Sequence, residues 1–201
     1  MTLTTASLWS ATDHARWHTA LDAYDAVVAA QGVSRLVELD AWYCHELPDA
    51  IRARKAPHVT LPELARLAEW KMARGVWRAP NLVLIRGNAP AVVVKTSTAA
   101  LATVPHPTSP ISVLATLDGV GPATASGAAA AYSPEHYPFF DELVAEQVPG
   151  LGLVKWTLGF YAKYADALRA RTKELGDAWT PAMVERALWA HRGGKAGAKA
   201  K

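Results

Sequence analysis

The stretch Leu117–Ala125, reading L-D-G-V-G-P-A-T-A, constrains this chain more than any other part of it. Gly119 and Gly121 bracket Val120, and two bends without a Cβ are what a tight turn between helices asks of the backbone. Leu114, Leu117, Val120, Ala125 and Ala128 are spaced to pack the flanking segments together. Ile111–Leu117 and Pro122–Tyr132 therefore read as two helices closed into a hairpin within residues 111–132. Backbone N–H groups after Gly121 then lie at a helix N-terminus, which receives a phosphate oxygen well. Such a turn can hold a nucleic-acid backbone without side-chain charge, and an isolated Gly-Val-Gly can equally be a structural bend.

Helical periodicity runs through most of the remaining chain. Trp17, Leu21, Tyr24 and Val28 mark an amphipathic helix over about 12–31, closed by Gly32. A second helix starts after Ser34 and carries Leu36, Leu39, Tyr43 and Leu47, ending before Pro48 or resuming as a short turn. Thr60-Leu61-Pro62-Glu63 has the form of a capping box, and the helix it opens stops at Gly75. A shorter helix lies between Pro80 and Gly87. Residues 91–103 are ambiguous, because Val92–Val94 suit a strand while the Ala-rich surroundings suit a helix. Thr103–Pro110 and Ser133–Pro138 read as loops. A helix begins near Asp141, a long one spans about 153–175, and Thr180-Pro181 opens the last. The expected organisation is a single all-α domain over 1–192 with a disordered basic tail at 193–201.

Composition narrows the class. With 51% hydrophobic and 19% charged residues in 201, the chain can bury a core and is neither disordered nor fibrous. One cysteine, Cys44, excludes an internal disulfide and fits a reducing compartment. Met1–Ser10 has no Lys or Arg and no long apolar run, and no stretch approaches the ~18 apolar residues of a membrane span. An intracellular protein, nuclear or cytoplasmic, without a membrane partner is expected. The net charge of +3 is unevenly spread: the region 111–150 has five acidic groups and no Lys or Arg, whereas 151–201 has ten basic and four acidic groups. A basic C-terminal third can be a nucleic-acid footprint or a solvated helix face with a frayed tail.

The hairpin, the Ala-rich helix 123–131 and Tyr137-Pro138-Phe139-Phe140-Asp141 together resemble the helix-hairpin-helix DNA glycosylase superfamily, which includes endonuclease III and the adenine-mismatch and oxidised-guanine glycosylases. In that family the hairpin is followed by a helix, a loop, and an aspartate opening the next helix. Asp141 stands 20 residues past Gly121, in that register. The resemblance covers about residues 111–145. It implies a two-lobed helical fold, DNA glycosylase-like, in which a nucleotide is flipped from the duplex into a cleft. Asp141 would then stabilise positive charge on the sugar or activate water, with Glu142 assisting or merely capping the helix. Asp141 can also be an ordinary helix-opening acid. Gly119, Val120, Gly121 and Thr124 would hold the nucleic-acid backbone, and DNA would be the partner.

Departures from the family pattern qualify that activity. Bifunctional members have a lysine two residues past the second glycine, where this chain has Ala123, so base excision without strand cleavage is expected. Asp118 replaces the usual proline, and no Lys or Arg occurs between Lys95 and Lys155, so cations must reach the hairpin from elsewhere in space. One cysteine cannot hold an iron–sulfur cluster, and His14 and His18 have no third ligand in register, so neither cofactor nor metal is expected. Trp70, Lys71, Arg74 and Trp77 form a second unusual group. The tryptophans can line a substrate pocket with Phe140 while Lys71 and Arg74 meet phosphate, or the tryptophans can be core with the cations snorkelling out. A hydrolase of the Ser or Cys nucleophile type has no signature here. Besides a monofunctional glycosylase, the sequence allows a non-catalytic nucleic-acid-binding or interaction module, or an enzyme acting on a free nucleoside or nucleotide.

Overall fold

Thr60 caps the helix that organises the fold. Its hydroxyl accepts from the Glu63 amide, the Glu63 carboxylate accepts from the Thr60 amide at 2.8 Å, and Pro62 occupies the first turn. The resulting helix runs Leu61–Arg74 and buries Leu64, Leu67, Trp70 and Arg74 on one side. The structure is a computed structural model that describes residues 7–199; Met1 to Ala6 of the N-terminal stretch and the last two residues of the basic tail lie outside them.

Among the described residues every regular element is helical. After a 3-10 turn at Leu8–Ser10 come α1 (His14–Asp22), α2 (Tyr24–Ala29), α3 (Leu36–Ala41), α4 (Leu47–Arg52), α5 (Leu61–Arg74), α6 (Ala79–Gly87) and α7 (Pro90–Leu101). They are followed by α8 (Ser109–Leu114), α9 (Pro122–Tyr132), α10 (Glu142–Ala145), α11 (Leu158–Leu175), α12 (Pro181–His191) and α13 (Gly194–Lys199). The Val-rich stretch 91–103 is helical, so neighbouring alanines and the first-turn proline outweigh β-branching. α5 packs on α3, α6 and α9, α8 packs on α7 and α9, and α12 lies against α1 and α11. No helix among the described residues is long and apolar enough to cross a membrane.

Four expectations change. The helix expected over 12–31 is two helices meeting at Ala23, whose ψ of −7° breaks the ladder and leaves Trp17 and Tyr24 both buried. The second helix passes through a π-helical segment, Trp42–Glu46, before Pro48 enters the first turn of α4. The wider turn lets Trp42, Tyr43 and Leu47 all face inward. The long helix starts at Leu158 rather than near 153, because the Thr157 hydroxyl caps the Phe160 amide. The tail expected to be disordered from 193 instead forms α13: Gly193 and Gly194 turn the chain with φ of 75° and 59°, and Gln31 clamps it. The Gln31 amide donates to the Gly193 carbonyl at 3.1 Å, and the Ala196 amide donates back to Gln31 Oε1 at 2.9 Å.

The two glycines of the hairpin differ in what they are for. Gly119 has a φ of 76°, and a Cβ there would stand 2.6 Å from the Asn81 carbonyl oxygen and 2.9 Å from the Ile85 nitrogen. The turn is seated directly on α6, and Asn88 locks it: its amide donates to the Asp118 carbonyl at 3.0 Å, and the Asp118 amide donates to Asn88 Oδ1 at 3.1 Å. Gly121, at φ −96°, has open space where a Cβ would go. The Gly119→Ala substitution should therefore cost about 2–4 kcal/mol, combining a left-handed backbone with a clash against backbone atoms, while Gly121→Ala should stay within ~0.5 kcal/mol. Urea unfolding of the two variants would measure the contrast, and equal losses would count against this packing.

Candidate functional site

Asp141 is placed by a short segment that three side chains hold from outside. The buried Ser126 hydroxyl on α9 donates to the Ala123 carbonyl and accepts the Phe140 amide, each at 2.9 Å. From α11, the Tyr164 hydroxyl donates to the Phe139 carbonyl at 2.7 Å and Tyr161 to the Pro138 carbonyl at 3.4 Å. The chain leaves this grip at Asp141, whose Oδ1 accepts the Leu143 amide at 2.8 Å and so caps α10. Asp141 thus opens a helix and lines a cleft at the same time.

The cleft encloses about 310 Å³ between the C-terminal end of α5, the following link through Arg78, the first turn of α9, and residues 139–143. Trp156, 43% exposed, is the aromatic face of the cleft; the Phe140 ring, its centroid 4.9 Å from that of Trp156, is fully buried and braces it. Gly121, Ala123 and Thr124 present the start of α9, which no side chain caps. The first N–H groups of a helix have no partner within it, so this wall carries the positive end of the helix dipole. Lys71, Arg78 and Lys195 bring cations from α5, its following link and the C-terminal segment, and Glu142 is exposed at the same cleft.

Behind Asp141 lies a buried charge network. Arg74 Nε sits 3.3 Å from Asp141 Oδ2, and Arg74 Nη2 donates to Glu185 Oε1 on α12. Nη1 donates to the Tyr24 hydroxyl at 3.1 Å, which donates to Asp40 Oδ1 at 2.9 Å, and Trp70 Nε1 donates to the same oxygen at 2.7 Å. The guanidinium carbon stands 4.4 Å from the Trp189 ring centre, and 5.3 Å, 5.5 Å and 5.7 Å from those of Phe139, Trp70 and Tyr24. Burial raises the Asp141 carboxyl above its usual range, against the pull of Arg74 and of the Leu143 and Val144 amides. Burial likewise pushes Glu185 up to about 8, opposed by Arg74 and reinforced by Asp141. One guanidinium faces both carboxyls in a dry setting, where burial disfavours the charged form of each and Arg74 favours it.

The structure brings together Asp141, Glu142, Gly121, Thr124, Lys71 and Arg74 from the expected set, and it separates the others; Phe140 adjoins the cleft, but its ring is fully buried in the core instead of lining a substrate pocket. Trp70 is fully buried, stacked on Tyr43 at 3.6 Å, and belongs to the core rather than to a substrate pocket. Trp77 is 55% exposed and does not line the cleft, because the chain turns outward after Gly75. Gly119 is seated against α6 and the Val120 amide donates to the Leu117 carbonyl at 3.1 Å, so the turn is committed to packing and neither residue lines the cleft. Arg74 lines the cleft but is buried and committed to carboxylates, which removes it as a free phosphate contact. Trp156, Arg78, Lys195 and Glu185 were not singled out by sequence. Glu185 had a local signal, an acid within the apolar run of α12, whereas the others depend on long-range packing. No family model, no curated protein and no solved structure matches this chain.

The raised acid at Glu185 fixes a direction for stability. The folded carboxyl keeps its proton to about pH 8, whereas an ordinary Glu releases it near 4.5. The folded state then binds more protons between those values, so this contribution is complete below the lower one and is lost as pH rises through the upper. Glu185→Gln should flatten the stability profile between about pH 5 and 8 in chemical denaturation. By the same measurement, Arg74→Met should cost about 3–5 kcal/mol at neutral pH, because it strands two buried carboxyls.

Proposed function

We propose that this chain is a divergent, monofunctional DNA glycosylase-like protein that hydrolyses the N-glycosidic bond of a flipped nucleotide. The observation carrying the proposal is that Asp141 lines the same cleft as the first turn of the hairpin's second helix and the exposed ring of Trp156. A volume of 310 Å³ falls at the lower end of ligand pockets, ~300–1,000 Å³, and suits one planar base with its sugar. In this reading the base stacks against Trp156 and the sugar C1′ faces Asp141. As the C1′–N bond breaks, the base departs with the bonding pair and takes a proton from solvent, which the proton finally released by Asp141 replaces. The ionised Asp141 opposes the positive charge on the sugar, then accepts a proton from the water whose oxygen bonds to C1′. A carboxyl shifted upward is better matched to proton transfer near neutrality than an unperturbed one. Ala123 places a methyl group where a Schiff-base amine would sit on this helix, so the product is an abasic site in an uncut strand.

A second reading is an enzyme acting on a free nucleoside or nucleotide. It is favoured by the turn at Gly119, committed to packing, and by the absence of Lys and Arg from 111–150, both of which weaken a duplex grip. A panel of lesion-bearing duplexes, incubated with the protein and then with alkali, should yield strand breaks that disappear in Asp141→Asn and return in part in Asp141→Glu. Without alkali the strands should remain intact. Release of base only from free nucleosides or nucleotides would transfer the proposal to the second reading, and no excision from any substrate would sink both.

A further inference from the structure

Three cations meet at this cleft without acidic partners. Among the described residues, Lys71, Arg78 and Lys195 make no side-chain ion pair, although nine other arginines do. Like charges gathered in a half-enclosed space repel one another, and an arrangement of this kind is relieved by an anion. The Lys71 ammonium is held below its ordinary value by burial and by Arg78, which fits a site whose counter-charge arrives with a ligand. The start of α9 faces the same space without a capping side chain and adds backbone donors. Glu142, exposed at the same cleft, is the one carboxylate lining it that stands outside the Arg74 network.

Lys195 reaches the cleft because of the C-terminal segment. Gly193 and Gly194 reverse the chain after α12, Gln31 holds it by two hydrogen bonds, and the Lys195 ammonium donates to the Gly75 carbonyl at the end of α5. A cation at a helix C-terminus is favourably placed, and an ammonium that gives one N–H to a carbonyl keeps two for another acceptor. A Cβ on Gly194 would stand 2.7 Å from Trp189 Cζ2 and 2.6 Å from Gln31 Nε2, so the strap is seated rather than loosely apposed.

We propose that the segment Gly193–Lys199 is a strap that completes a receptor for a single phosphate group, formed by Lys71, Arg78 and Lys195 along the cleft. The phosphate belongs either to a free nucleotide monoester or to the diester of a strand, and the three cations serve both. The receptor deepens the reading given above but does not depend on base excision. Phosphate binding without excision leaves it standing, and excision without phosphate binding overturns it.

The test is titration of the full chain, by calorimetry and by NMR of its lysine side chains, with inorganic phosphate, a 5′-deoxynucleoside monophosphate and an abasic duplex. Lys71→Gln and Lys195→Gln should each weaken monophosphate binding about threefold to tenfold, and Lys195→Arg should restore most of it. Gly194→Val keeps every charge but unseats the strap, and should lose as much as Lys195→Gln. The exposed Lys55→Gln, which alters net charge equally, should bind as the parent does. Should the duplex be the true source, its salt slope would fall by about one on removing Lys195 and it would outbind the monophosphate; should the free nucleotide be the source, the order would reverse. Parental affinity in Lys71→Gln and Lys195→Gln, or tighter binding in Gly194→Val, would overturn the receptor.

Discussion

A guanidinium with no water around it is the constraint on which the rest of the structure depends. Arg74 ends α5 and is buried, yet it touches groups from three other parts of the chain: Tyr24 on α2, Phe139 and Asp141 before α10, and Glu185 and Trp189 on α12. Removing such an ion from water costs several kcal/mol, which excellent geometry and several hydrogen bonds must offset. Here two carboxyls, a hydroxyl and four rings do so. Each partner must arrive in register, or the charge is left stranded. The network therefore specifies how α2, α5 and α12 and the segment carrying Asp141 sit together, more than it adds to net stability.

The same arrangement explains why the cleft is preformed. Asp141 is held by its cap on α10, by Arg74, and by a preceding segment pinned from Ser126, Tyr161 and Tyr164. None of these contacts involves a ligand, so the carboxyl need not reorganise when one binds, which is the condition under which a fixed charge is most effective. The hairpin contributes at one end only. Its turn serves packing against α6 through Gly119 and Asn88, while its second helix aims its N-terminus into the cleft.

Sequence periodicity and caps carried much of the fold. The Thr60–Glu63 box, the stop at Gly75, the hairpin helices and the acid opening α10 are local events, decided within a turn or two of the residues that signal them. The breaks were less legible. Ala23 and the π-helical segment 42–46 are compromises that let Trp17, Tyr24, Trp42 and Tyr43 all reach one core, and no short window contains that demand. At the site, Asp141 and the start of α9 could be read from spacing because they lie close in the chain. Arg74 could not: its charge suggested a phosphate contact or a cation snorkelling outward, and the partners that accompany its burial include Glu185, 111 residues away. Trp70 could be read as core or as pocket wall from sequence, since the partner that fixes it in the core, Asp40, lies 30 residues upstream.

The charge map resolves in space what looked contradictory along the chain. Residues 111–150 supply acids, an apolar hairpin and no Lys or Arg, a poor composition for meeting phosphate. The fold imports positive charge from α5, from its following link and from the strap Gly193–Lys199. It sets that charge along a cleft one of whose acids, Asp141, is paired with the buried Arg74. Cation and acid thus occupy one cleft without quenching one another. Arg74 is paired with Asp141 and Glu185, whereas Lys71, Arg78 and Lys195 line the cleft with no side-chain ion pair among the described residues. A ligand with an anionic group at one end and a reactive carbon at the other is what such a separation of charge can orient.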